Sequence, residues 1–137
     1  MHLKQKIIDN AGELRRLHRR IHETFPFREQ GPEKHREWEQ ACKAFHSSYD
    51  KLAFPGGYDG APERIAAGDP EAMEAAICFL ECRPYFFRSG YMFKTILRKA
   101  KRAPLSKSQA ARLQTVVEKI DEWRESKKKA GSPSKSP

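Results

Sequence analysis

Apolar residues in this chain return at three- and four-residue steps, and no alternating apolar–polar pattern competes with them. Leu3, Ile7, Ala11, Leu14, Leu17 and Ile21 trace one face of a first helix over about 4–25, with Phe25 at its end. Pro26 and Gly31 bracket a turn. A second helix opens near Pro32, with Trp38, Ala41, Cys42, Phe45, Tyr49 and Leu52 on one stripe. The short connection predicts an antiparallel helix hairpin over 1–54. Pro55-Gly56-Gly57-Tyr58-Asp59-Gly60 then breaks the pattern, and 62–67 has room for a single helical turn.

Boundary signals are stronger in the second half. Asp69-Pro70-Glu71 supplies an N-cap acid, a proline at the first helical position and a carboxylate in the first turn, so a helix is predicted to about Cys82, just before Pro84. Its apolar stripe centres on Ala72, Ala76, Phe79 and Leu80, which leaves Cys78 and Cys82 on the other side with Glu71 and Glu74. Tyr85-Phe86-Phe87 form an apolar corner, Ser89 is placed to cap a fifth helix ending near Arg102, and Pro104 stops it. Ser106 with Gln109 matches a capping box for a last helix that carries Leu113, Val117 and Ile120. From Ser126 onward Lys, Ser, Gly and Pro dominate, the composition of a disordered segment.

The expected architecture is all-α: a compact bundle of about five helices in one domain over 1–125, made of the hairpin and helical pairs over 62–125. A disordered basic tail over 126–137 follows. The helix pairs over roughly 62–123, with their Pro- and Asp-marked corners, resemble HEAT-type helical repeats. That resemblance implies stacked helix pairs and brings with it no activity, cofactor or residue role.

Charge changes the picture most. Twelve Lys/Arg against four acids fall within 98–137, a net +8 of the chain's +9. The first thirty residues add about +3, and the middle is slightly acidic. A basic end attracts polyanions, nucleic acid first. At 137 residues the chain is large enough to bury roughly two-thirds of its unfolded surface. Three cysteines, an odd number, argue for a reducing compartment over a secreted disulfide framework. No apolar run approaches the roughly 20 residues a membrane span requires, and the N-terminus lacks the apolar stretch of a signal peptide, so no membrane association and a cytoplasmic location are expected.

Four constellations could carry chemistry. Lys94, Arg98, Lys101 and Arg102 share one side of the fifth helix, and Lys127, Lys128 and Lys129 extend the basic surface, as a phosphate backbone requires. The competing reading is a solvated face. Arg83 and Arg88 flank the aromatic corner, with Ser89 at a helix start whose free amides suit an anion. The competing reading there is a corner whose aromatics plug the core. Cys42 with His46, and Cys78 with Cys82, are two pairs four residues apart that could together form a zinc tetrahedron. His18 and His22 would face His35 and Glu39 across the hairpin as a metal or acid–base cluster, yet Arg15, Arg16, Arg19 and Arg20 around them would repel a cation.

Catalytic motifs are missing: there is no phosphate-loop frame, no G-x-S-x-G and no H-E-x-x-H. The expectation is therefore a helical binding protein, not an enzyme, without a cofactor. It would hold nucleic acid without sequence preference, or else an acidic protein partner, or fold around zinc as a structural or metal-dependent domain.

Overall fold

The computed structural model describes residues 2–135, with side chains through 129. The protein is all-α. In order, it comprises α1 (His2–Thr24), a 3-10 turn (Phe25–Phe27), α2 (Pro32–Ala53), α3 (Ala61–Ala66), α4 (Pro70–Cys82), α5 (Ser89–Arg102) and α6 (Lys107–Lys135), with no strand among the described residues. No helix there is long and apolar enough to cross a membrane.

α4 is the axis of the molecule. It is apolar nearly all round, and Ala72, Ala75, Ala76, Ile77, Cys78 and Phe79 are all buried. A helix of that kind is stable only when surrounded, and α1, α3, α5 and α6 all pack against it. The packing is thus centred on one helix, whereas in a solenoid each unit meets only its neighbours along a line. This arrangement corrects the one-sided stripe expected for α4. Cys78 is core, because the side of the helix that looked polar is covered by α6, whose Arg112 takes up Glu74 and Glu81.

α1 and α2 form the expected hairpin, and Phe25 meets Trp38 while His18 meets Phe45. That register sets His35 against Trp38 and Glu39 on its own helix, away from His18 and His22, so the histidine cluster does not assemble. Phe25 itself leaves the α1 face and is half-exposed in the 3-10 turn.

Local capping follows the sequence closely. Asp69 Oδ2 accepts the Ala72 amide at 2.9 Å, and Ser106 and Gln109 exchange two hydrogen bonds at 3.0 and 3.1 Å. The glycine-rich loop before α3 is held by Asp50, which accepts the Asp59 amide at 2.7 Å, and by Arg64, which donates to the carbonyls of Gly57 and Asp59. At Gly68 the backbone is left-handed (φ 87°), and a Cβ would stand 2.8 Å from the Pro104 ring. Only glycine lets the α3–α4 turn meet the α5–α6 turn.

α6 continues past Glu125, where the sequence placed the end of the folded domain, and includes Lys127, Lys128 and Lys129. The Lys, Glu and Arg of this stretch are good helix formers, and Glu125 stands four residues before Lys129 in the favourable order. Positions 136 and 137 of the expected tail lie outside the described residues.

Candidate functional site

The corner between α4 and α5 is built residue by residue. Arg83 closes α4 in the left-handed region (φ 46°), its amide donating to the Phe79 carbonyl at 2.8 Å, and Pro84 forbids a further helical turn. Phe86 turns inward at 4% exposure and meets the rings of Tyr49 and Phe79. Its neighbours turn outward, Tyr85 at 76% and Phe87 at 46% exposure. The expected aromatic plug is therefore Phe86 alone. Arg15 donates to the Tyr85 carbonyl at 2.6 Å and the Tyr49 hydroxyl donates to the Phe87 carbonyl at 2.7 Å, so α1 and α2 hold the corner's backbone in place.

Ser89 does not cap α5. Arg88 holds the N-cap position, in the left-handed region (φ 67°) and with no capping hydrogen bond from its side chain, while Ser89 lies buried in the first turn. Its hydroxyl accepts the Phe86 amide at 3.1 Å, and its own amide donates to the Phe86 carbonyl at 2.9 Å. That reciprocal pair ties the corner and occupies the group that was expected to meet an anion.

Two grooves flank α5. They exist because α1, α5 and α6 all pack on α4, while neither α1 and α5 nor α5 and α6 come into extensive contact with each other. The first, about 720 Å³, runs between α1 and the corner, and its cations are Arg15, Arg19, Arg88 and Lys94. The second, about 470 Å³, runs between α5 and α6 and is lined by Arg83, Phe93, Leu97, Trp123 and Arg124, among others. Tyr85, Ser89, Gly90 and Lys94 border both, so the grooves adjoin at the start of α5.

The electrostatics of these grooves are one-signed. No carboxylate lines either, and among the described residues their arginines and Lys94 take part in no ion pair. Six cations elsewhere have carboxylate partners, Lys4 with Glu81, Arg16 with Glu13, Arg20 with Glu23 and Glu37, Arg28 with Glu29, Lys34 with Glu37, and Arg112 with Glu74 and Glu81, while exposed ones such as Lys43, Arg98 and Lys101 have no ion pair among the described residues. The groove arginines instead lie near aromatic rings, Arg88 by Phe87 and Tyr91, and Arg83 by Phe93 and Trp123. The amides of Gly90 and Tyr91 in the first turn of α5, for which a helix supplies no internal partner, add to the positive field. His18 contributes packing. Its ring rests on Phe45 and Phe87, and burial, with His22 beside it, pushes its pKa down, so it is neutral at neutral pH.

Of the basic residues singled out from the sequence, Lys94 stands between the grooves, and Arg83 and Arg88 line one each. Arg98, Lys101 and Arg102 continue exposed along α5, with Lys101 bordering a further cleft beside Leu105 and Gln114. Lys127 on α6 lies 4.9 Å from the Trp123 ring, and Lys128 and Lys129 are exposed. Sequence reasoning missed Arg15, Arg19, Tyr91, Trp123 and Arg124 as site residues. The arginine group around His18 and His22 was the available signal, since a cluster that repels a cation attracts an anion.

The metal candidates are not brought together. No group of three or more His, Cys, Asp or Glu among the described residues is placed to hold a metal, so Cys42, His46, Cys78 and Cys82 do not form a tetrahedron. Cys78 lies between Glu74 and Arg112, and Cys82 lies 3.8 Å from the Lys4 carbonyl. Burial raises both thiols above their ordinary range, Glu74 adding to the rise at Cys78, which disfavours the thiolate that a metal or a nucleophilic role requires.

No protein-family model matches the chain, and neither a curated protein nor a solved structure matches it.

Proposed function

We propose that this protein is a non-enzymatic helical binding protein that holds the phosphate backbone of nucleic acid, without reading its sequence, in the grooves on either side of α5. The observation that carries this reading is a groove of about 720 Å³ that gathers Arg15, Arg19, Arg88 and Lys94 from α1, the corner and α5 with no carboxylate on its lining. Uncompensated arginines beside a helix start give phosphate both charge and directed donors. The exposed cations of α5 and the lysines of α6 lengthen the same basic surface. The sequence carries no recognised DNA- or RNA-binding motif, which fits binding indifferent to base sequence.

The test is fluorescence polarisation of labelled random-sequence DNA and RNA with the full chain, titrated with salt. Binding near micromolar is expected at low salt, with affinity falling steeply as salt rises. The Arg19→Ala/Arg88→Ala/Lys94→Ala variant, altered only at exposed positions, should bind at least about tenfold more weakly and have a shallower salt slope. Absence of binding at low salt overturns the reading. The basic grooves would then face an acidic protein, a partner class that the exposed Tyr85, Tyr91 and Trp123 also suit.

A further inference from the structure

Charge alone would make this surface a binder of any polyanion, but what lies between the cations is not neutral filler. Tyr85, Tyr91 and Trp123 are 76%, 72% and 53% exposed, and all three border the grooves. Rings left in water at such exposure forgo burial that would otherwise stabilise the fold. They are distributed along the path, Tyr91 in the first groove, Trp123 in the second and Tyr85 in both. Two of the three have a cation within reach: Arg88 lies 5.8 Å from the Tyr91 ring, and Lys127 lies 4.9 Å from the Trp123 ring.

Gly90 adds an independent observation. It lies in the first turn of α5 with no positive φ, and a Cβ there would meet nothing within 4 Å. Neither backbone conformation nor packing demands glycine at this position, and glycine within a helix is destabilising relative to alanine. What its missing side chain does is leave both grooves open where they join.

Resting on the nucleic-acid reading above, we infer that the ligand is specifically single-stranded, its unpaired bases stacking on Tyr91, Tyr85 and Trp123 as the strand crosses from one groove to the other over Gly90. Duplex nucleic acid offers phosphates but keeps its bases stacked on one another, so it can use the arginines and not the rings. A single strand uses both, since every base has a face to stack, and this is how strands are held without sequence preference. A groove of about 720 Å³ is of the size that takes one small organic ligand, so the pair accommodates a few nucleotides at the corner.

The experiment uses the full chain and four labelled or competing probes: a mixed-sequence single strand, its blunt duplex, an abasic strand of the same length, and a mononucleotide. The single strand is expected to bind at least about tenfold more tightly than the abasic strand and the duplex, with the mononucleotide a weak competitor. The exposed rings allow Tyr85→Leu/Tyr91→Leu/Trp123→Leu without touching the core. That variant should lose the preference for single strand while its duplex affinity changes less than about twofold. Tryptophan fluorescence of the unaltered chain provides a second readout that needs no variant, since Trp123 should be quenched by the strand that has bases and not by the abasic one. Abasic or duplex probes that bind as well as the single strand overturn the inference and leave the nucleic-acid reading intact. A mononucleotide that competes at similar concentration overturns it in favour of a small anionic ligand. If none of the probes binds at low salt, the nucleic-acid reading falls, and this inference with it.

Discussion

Arg83 and Arg88 occupy backbone positions (φ 46° and 67°) that glycine enters freely and that cost a residue with a Cβ about 1–2 kcal/mol. They are the non-glycine residues at positive φ among the described residues, and both line the grooves. Strain of this kind persists where a side chain serves something other than folding. Arg88→Gly should therefore leave the melting temperature unchanged or raise it, relief of strain opposing the greater freedom glycine gives the unfolded chain. The same variant should weaken binding of single-stranded DNA several-fold in a polarisation assay. A clear loss of stability with binding intact would make Arg88 a cover for Phe87 and Tyr91 instead. At this scale the sequence was only partly legible. Tyr85, Phe86 and Phe87 are adjacent aromatics, two of them identical, and which one enters the core depends on where the left-handed residue falls. Helical periodicity says nothing about that, because the corner has no period.

Whole elements were more legible where their signals are local. Asp69, and Ser106 with Gln109, cap helices as their spacing predicts, because those bonds close within three residues. The tie that joins α4, α6 and α1 was illegible: Arg112 reaches Glu81 and Glu74 across long separations in sequence, and Lys4 adds a third helix. Those hydrogen bonds, Arg112's first, hold the Glu81 carboxyl down at about 2 from an ordinary value of 4.5, against the opposing effect of burial. As pH falls, the unfolded chain takes up this proton before the folded one does. The contribution to stability is thus whole above about 4.5 and is lost progressively toward pH 2. Allowing for solvent screening, it amounts to about 1–2 kcal/mol. Urea midpoints measured across that range should fall more steeply for the native chain than for Glu81→Gln, with the two converging at the acid end. Parallel curves would show that the carboxylate contributes nothing to folding. Arg112→Ala should be worse than Glu81→Gln, about 2 kcal/mol at neutral pH, because it leaves Glu74 and Glu81 partly buried without their partner.

For the molecule as a whole, one apolar helix decides where open grooves can form. Because α4 is surrounded, the helices packed on it leave grooves between themselves, and those grooves collect cations from α1, α5 and α6 that lie far apart in sequence. The charge total pointed to 98–137, and Lys94 was found by sharing one helix side with Arg98, Lys101 and Arg102. Arg15 and Arg19 were not, since their meeting with the corner exists only after α1 and α5 are set side by side on α4. The proposed path therefore has two parts with separate physics: an arginine–aromatic crossing at the corner and a solvated lysine run on α6. Every residue from Asp121 to Lys129 is exposed, so Lys127→Ala/Lys128→Ala/Lys129→Ala should leave thermal stability unchanged within about 0.5 kcal/mol. If the strand follows α6 beyond Trp123, each lost phosphate contact removes about 0.7 from the slope of log affinity against log salt, about 2 in all. The preference for single strand over duplex should survive, because it belongs to the rings. An unchanged slope would confine the strand to the two grooves and leave the α6 lysines outside its path. Loss of the preference itself would mean that Lys127, beside Trp123, positions the ring on which the last base stacks.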